Sequence, residues 1–263
     1  MATMDPGSVV WFEIDTADPQ AAKDFYGSLL GWTFQTVPVA DGRTYTLITA
    51  KGAPLPMGGL WEPAAVSEEA MSLSVRSADV DTDVARLKDL GATVVAPTGP
   101  AADGGRYARL RDPRGTLFSV WQQPAGNAAD QQPGPGVPLP GSMAWFEIGT
   151  ADIEASKTFY ADAFGWNYIH DTGVTSRPYF AAVTPGAERG SGGLGDNSTA
   201  KGTRDYAAPQ FLTPDVPTAV EKAKSLGATA EAGPETTAYG LTFARLKDPR
   251  GIRFLLFSLP PMD

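Results

Sequence analysis

The stretch from Trp11 to Trp32, "WFEIDTADPQAAKDFYGSLLGW", decides the fold, because it returns without a gap as "WFEIGTADIEASKTFYADAFGW" from Trp145 to Trp166. More than half of the positions are identical, and self-similarity fixes an architecture before any single residue is interpreted. The likeness continues downstream. "ARLRDPRG" at Ala108 to Gly115 answers "ARLKDPRG" at Ala244 to Gly251, and "MGGL" at Met57 to Leu60 answers "SGGL" at Ser191 to Leu194. The 263 residues are therefore a tandem duplication, with halves at 6–123 and 141–260. Residues 124–140 between them are rich in Pro, Gly and Gln, a composition that builds no core, and read as a linker.

Each half divides again. Val9 to Asp15 is a β-rich run; Asp18 and Pro19 then supply an N-cap and a proline at the first helical position. Ala22, Phe25, Leu29 and Leu30 follow at helical spacing, and Gly31 stops the helix. Three strand-like runs succeed it, at 32–39, 44–51 and around "MGGLWE". The pattern restarts at Met71, with Asp79 as cap, Val80, Val84, Leu87 and Leu90 as the apolar stripe, and Gly91 as stop. Three further strands end the unit, the last two joined by the Asp-Pro-Arg-Gly turn at Asp112 to Gly115. The second half repeats this, its second helix carrying Asp215, Val216, Val220, Ala223 and Leu226. The expected fold is α+β, four β-α-β-β-β modules. Residues two apart in a strand share a face, so Trp11 and Glu13 point one way, as do Trp145 and Glu147. Val10, Phe12 and Ile14 are expected to face the module's helix.

Composition narrows the function. There are no cysteines, which removes disulfides, thiolate nucleophiles and Cys-type zinc or iron–sulfur sites. The net charge is −9, the pI is about 4.7, and the basic residues are scattered. Nucleic acids and anionic membranes need clustered Lys and Arg, so neither is an expected partner. The N-terminus has no basic start or signal-like apolar run, and a cytoplasmic location is expected. The expected partner is a small organic molecule, bound by a monomer or homodimer.

Four such modules, a helix ending in Phe-Tyr followed by Gly-Trp, and an Asp-Pro-x-Gly turn before the last strand resemble the vicinal oxygen chelate superfamily. That superfamily holds glyoxalase I, extradiol dioxygenases, fosfomycin-resistance enzymes and bleomycin-binding proteins. More narrowly, the chain is similar to two-domain glyoxalase-like bacterial proteins often labelled hydroxylases. The resemblance implies that modules pair so that their mixed sheets curl into ligand-holding cups; whether they pair within or across the halves stays open. It also implies where a metal would bind. Trp11 and Trp145 stand at the place of the first-strand histidine, Ser119 and Leu255 at that of the closing glutamate, and Ala70 and Tyr206 near that of the partner-module histidine. None is a metal ligand. His170 is the one histidine in the chain, so a two-histidine site is impossible, and His170 itself reads as an exposed strand-end residue. No metal and no cofactor are expected, although a carboxylate-only site of magnesium type stays conceivable.

In the cups Trp11 and Trp145 would offer stacking platforms, and Glu13 and Glu147 would orient a ligand or act as bases, their pKa raised by apolar walls. The competing reading makes Trp a core filler and pairs the glutamates with Arg109 and Arg245. Ser119 and Trp121 would join the first cup, with Leu255 and Phe257 as their greasier equivalents in the second. If one cup is active, the first is the choice. The preferred function is metal-independent binding of a planar or aromatic metabolite, of carrier or sequestration type. The alternative is a hydroxylase-like enzyme of metabolite conversion using Glu13 or Glu147; glyoxalase I and extradiol dioxygenase chemistry are disfavoured. Three weaker features are set aside or read as architecture. "GSGGLG" at Gly190 to Gly195 lacks the following helix of a dinucleotide site, and "STAK" at Ser198 to Lys201 lacks companion motifs. The paired glycines Gly58–Gly59 and Gly192–Gly193 mark close backbone approach.

Overall fold

The computed structural model describes residues 5–39, 42, 44–61, 68–124, 138–200 and 202–260. Of the expected linker, 125–137 lie outside the described residues. In the first half the order is β1 (Val9–Asp15), α1 (Pro19–Leu30), β2 (Thr33–Pro38), β3 (Thr44–Thr49), β4 (Gly58–Trp61), β5 (Ala70–Arg76), α2 (Val80–Asp89), β6 (Thr93–Pro100), β7 (Arg106–Arg111) and β8 (Leu117–Gln122). In the second it is β9 (Met143–Thr150), α3 (Ile153–Phe164), β10 (Asn167–His170), β11 (Tyr179–Val183), β12 (Gly192–Asp196), β13 (Tyr206–Leu212), α4 (Val216–Ser225), β14 (Thr229–Thr236), β15 (Thr242–Lys247) and β16 (Arg253–Ser258). This is β-α-β-β-β four times over.

The helix boundaries have local causes. Asp18, Asp79, Asp152 and Asp215 each accept a hydrogen bond from the backbone N–H three residues on, satisfying a donor that a helix start leaves unpaired. Gly31 and Gly165 end α1 and α3 at φ of 71°, a left-handed conformation that a Cβ disfavours.

Modules pair within each half. The first sheet runs β2-β3-β4-β1-β5-β8-β7-β6 and the second β10-β11-β12-β9-β13-β16-β15-β14. In both, the first strand of each module lies beside its partner's at the centre, antiparallel, as β1 with β5 and β9 with β13. The backs of the two sheets approach along β5 and β13, and one continuous apolar core joins the halves.

The recurring motifs build that junction. Tyr26 of α1 donates to Asp248 in the second half's Asp-Pro-Arg-Gly turn at 3.1 Å, and Tyr160 of α3 donates to Asp112 in the first half's turn at 2.9 Å. The turn arginines also cross over, Arg250 forking onto Glu69 and Arg114 reaching Asp205. The Trp32 indole donates to the Gly141 carbonyl at 2.8 Å and the Trp166 indole to that of Gly7 at 2.7 Å. Phe12 packs at a tilt against Trp32 and meets Phe211 of the other sheet edge-on, with ring centres 5.6 and 5.2 Å apart. So Phe12 and Ile14 are buried as expected, but their surroundings include the other half.

Val10 departs from the expected alternation. A register irregularity between Val9 and Trp11 turns it onto the cavity side, where it lines the first cup. Among the described residues no helix is long and apolar enough to cross a bilayer.

Candidate functional site

The curl of the first sheet leaves a cavity of about 310 Å³ walled by Trp11, Tyr45, Trp61, Tyr107 and Trp121, with Glu13 at its base. Register explains the grouping: Glu13 faces Ser72 on β5 and Gly59 on β4, Asp15 faces Trp61, and Tyr107 faces Trp121. Gly59 is there because a Cβ would fall 1.8 Å from the Tyr45 hydroxyl. With that room, Tyr45 accepts from the Trp11 indole at 2.8 Å and lies 3.4 Å from Glu13 Oε1. The Trp61 indole donates to the same oxygen at 3.1 Å, and the Ser119 hydroxyl stands 3.5 Å from Oε2. Arg109 forks onto Asp15. Burial pushes the Glu13 carboxyl above the ordinary glutamate range; Arg109 and the Trp61 and Tyr45 hydrogen bonds oppose this, and Asp15 adds to it.

The second sheet encloses about 320 Å³, with Trp145, Tyr179, Tyr239, Phe243 and Phe257 as aromatic wall and Glu147 and Gln210 among the polar groups. The Trp145–Tyr179 hydrogen bond, 3.0 Å, repeats that of Trp11 with Tyr45. Around the glutamate the likeness ends. Tyr206 donates to Glu147 Oε1 at 2.6 Å, Arg177 Nη2 lies 2.7 Å from the same oxygen, and Arg245 Nη1 lies 3.9 Å from it. Two glycines make this possible. Where β4 carries Trp61, β12 carries Gly195, and a Cβ there would collide with the Arg177 guanidinium at 2.3 Å. Where β1 carries Asp15, β9 carries Gly149, and a Cβ there would meet the Tyr206 ring at 2.3 Å. Burial raises the Glu147 pKa, but Arg177, Arg245 and the hydrogen bonds outweigh it, so the carboxyl ends below the ordinary range.

A glyoxalase-like domain model matches residues 11–121, and the model of the glyoxalase/bleomycin resistance protein/dioxygenase superfamily matches residues 142–256. The chain belongs to this superfamily. A similar protein is the anthracycline biosynthesis protein DauV of Streptomyces sp. (strain C5), 28% identical over 98% of this chain and 96% of its own. The Mn(II)-bound glyoxalase of Novosphingobium aromaticivorans superposes with a TM-score of 0.60 at 18% identity, over 96% of this chain and 82% of that one. Homoprotocatechuate 2,3-dioxygenase of Arthrobacter globiformis does so with 0.60 at 18%, over 98% and 81%. Those two likenesses concern the fold. At the positions where the family resemblance implies metal ligands, the chain has Trp11, Ala70 and Ser119 in the first half and Trp145, Tyr206 and Leu255 in the second. Among the described residues no three His, Cys, Asp or Glu converge as a metal site.

Six of the residues singled out from sequence line the cavities: Trp11, Glu13 and Trp121 in the first cup, Trp145, Glu147 and Phe257 in the second. Ser119, Arg109 and Arg245 lie behind the walls. Arg109 does not make the direct pair with Glu13 that the competing reading called for, because Asp15 two residues on takes its fork. Arg245 reaches Glu147 only at 3.9 Å. His170 is exposed at the end of β10, its ring 4.9 Å from that of Phe180. Tyr45, Trp61, Tyr107, Arg177 and Tyr179 were absent from the sequence candidates. Tyr45 and Tyr179 were findable, since the duplication repeats them two residues after Arg43 and Arg177. Arg43 lies outside the described residues.

Proposed function

We propose that the first cup binds a planar, aromatic metabolite without a metal ion, as a carrier or sequestering protein does. The observation that carries this is the enclosure of Glu13, whose pKa is raised, by three tryptophans and two tyrosines around about 310 Å³. Ligand pockets are largely apolar walls with a few fixed polar groups, and flat rings pack on Trp and Tyr faces with little ordering cost. The upward shift makes the protonated form of Glu13, a hydrogen-bond donor toward a ligand carbonyl such as a quinone's, easier to reach than in free glutamate. The likeness to a protein named for anthracycline biosynthesis supports a polycyclic aromatic as the ligand class.

The test is a tryptophan-fluorescence titration with a panel of planar quinones and phenols, beginning with 1,4-naphthoquinone. Saturable quenching that Trp11→Ala weakens supports the reading; no response across the panel overturns it.

A second reading makes the protein an enzyme of aromatic metabolite conversion. The raised pKa of Glu13 favours it over Glu147 as the proton-transfer group, since general acid–base work is best done near the working pH and the arginines hold Glu147 ionised. On this reading Glu13→Gln keeps ligand binding and abolishes turnover of whichever panel compound is consumed. If no compound is consumed by the unaltered protein, carriage alone stands.

A further inference from the structure

The duplication has not given two equal cups. Three of the exchanges that separate them concern the glutamate: Trp61 for Gly195, Asp15 for Gly149 and Ala70 for Tyr206. In the first cup Glu13 shares its surroundings with Asp15 and Arg109; in the second Glu147 stands beside two guanidiniums. Tyr206 and Arg177 both address Glu147 Oε1. Oε2 accepts no hydrogen bond from the described residues, and Glu147 is part of the cavity wall. An ionised carboxylate oxygen with open acceptor sites therefore faces a cavity walled by Trp145, Phe243 and Phe257.

The charge arrangement decides what suits that oxygen. An ammonium ligand would approach one carboxylate backed by two guanidiniums within 4 Å, and would meet net positive charge. An anion would meet the Glu147 carboxylate first, because Arg177 Nε and Arg245 Nη1 are buried in the wall rather than open to the cavity, and the exposed Arg189 that also lines the cavity is matched there by Asp171. A neutral O–H donor carries no charge to be repelled and gains a charge-assisted hydrogen bond. Gln210, standing where the first half has Ser74, adds an amide on the same wall.

We propose that the second cup is a binding site in its own right for a planar aromatic hydroxyl compound, a phenol or naphthol, whose O–H donates to Glu147 Oε2. The site does not depend on the reading of the first cup. The two cups then differ in hydrogen-bond polarity, the first suited to a carbonyl acceptor and the second to a hydroxyl donor.

The experiment is calorimetric titration of the full chain with 2-naphthol and with 2-methoxynaphthalene, which has the same ring system without the donor. It is done in the Trp11→Ala background, so that the first cup contributes little. The expected result is 2-naphthol binding at least tenfold tighter than the ether, and lost when Val174→Trp, on the cavity wall, fills the second cup. Glu147→Gln, where it folds, brings the two compounds to similar affinity. Should it not fold, the naphthol-to-ether ratio and the Val174→Trp variant decide alone. Equal binding of the ether, or naphthol binding that survives Val174→Trp, overturns the proposal. Failure of the first cup's reading shows separately, as 1,4-naphthoquinone binding that ignores Trp11→Ala.

Discussion

Glu13 and Glu147 occupy the same place in the repeat, yet their neighbours drive their titration in opposite directions. The folded state holds the Glu13 proton more tightly than the unfolded chain, so its favourable contribution is present at low pH and is lost as pH rises through the folded pKa. Glu147 has the opposite sign: its contribution is present above the ordinary glutamate value near 4.5 and is lost as pH falls. Glu13→Gln should therefore raise the melting temperature at about pH 8, the gain shrinking toward acid. Glu147→Gln should lower it at neutral pH by the equivalent of about 3–5 kcal/mol, because two guanidiniums lose their counter-charge. Thermal melts across pH check both, and the same sign for the two variants would refute this electrostatic account. Of this site, the Trp-x-Glu pairs were legible because strand alternation puts both side chains on one face. The partners were not. Arg177 lies in the segment before β11 and meets Glu147 only through folding, and Val10 joined the cavity because a register irregularity overrode alternation.

At the scale of elements, capping aspartates, stop glycines and two kinds of apolar periodicity located the helices and strands from sequence. The paired glycines gain a sharper meaning. Gly58 and Gly192 admit the rings of Phe12 and Phe146 from the core side, since a Cβ at either would fall 2.4 or 2.2 Å from them. Gly59 and Gly193 admit Tyr45 and Tyr179. Gly58→Ala should lower stability by about 1–3 kcal/mol through overpacking against Phe12, measurable by urea denaturation. Gly59→Ala, by displacing Tyr45, should weaken ligand binding in the first cup. The Phe-Tyr and Asp-Pro-Arg-Gly motifs were visible in sequence, but their partners lie in the opposite half. Tyr160→Phe should cost about 1–3 kcal/mol, as it leaves a buried Asp112 oxygen without its donor.

For the whole molecule, repeated motifs hold the halves together and also give both cups a Trp, a Glu and a Tyr, while the residues that differ make the two cups unlike. The repeat announced the duplication, and it did not reveal that the helices cross over to the other half's turns. Phe12, Phe25, Tyr26 and Trp32 sit in a core shared with Phe211 and Phe254. Calorimetry should accordingly show one cooperative transition for the full chain, and two independent transitions would contradict the shared core. In the proposed binding function Trp11 offers a stacking surface where the family resemblance implies a metal ligand. The decisive measurement is calorimetric titration of 1,4-naphthoquinone into protein stripped of metal by chelation, beside Trp11→Ala. The expected result is saturable binding that stripping leaves unchanged and that Trp11→Ala weakens about tenfold, the equivalent of ~1.4 kcal/mol of ring stacking. Binding that appears only after zinc, iron or manganese is restored, or that is indifferent to Trp11→Ala, would contradict it.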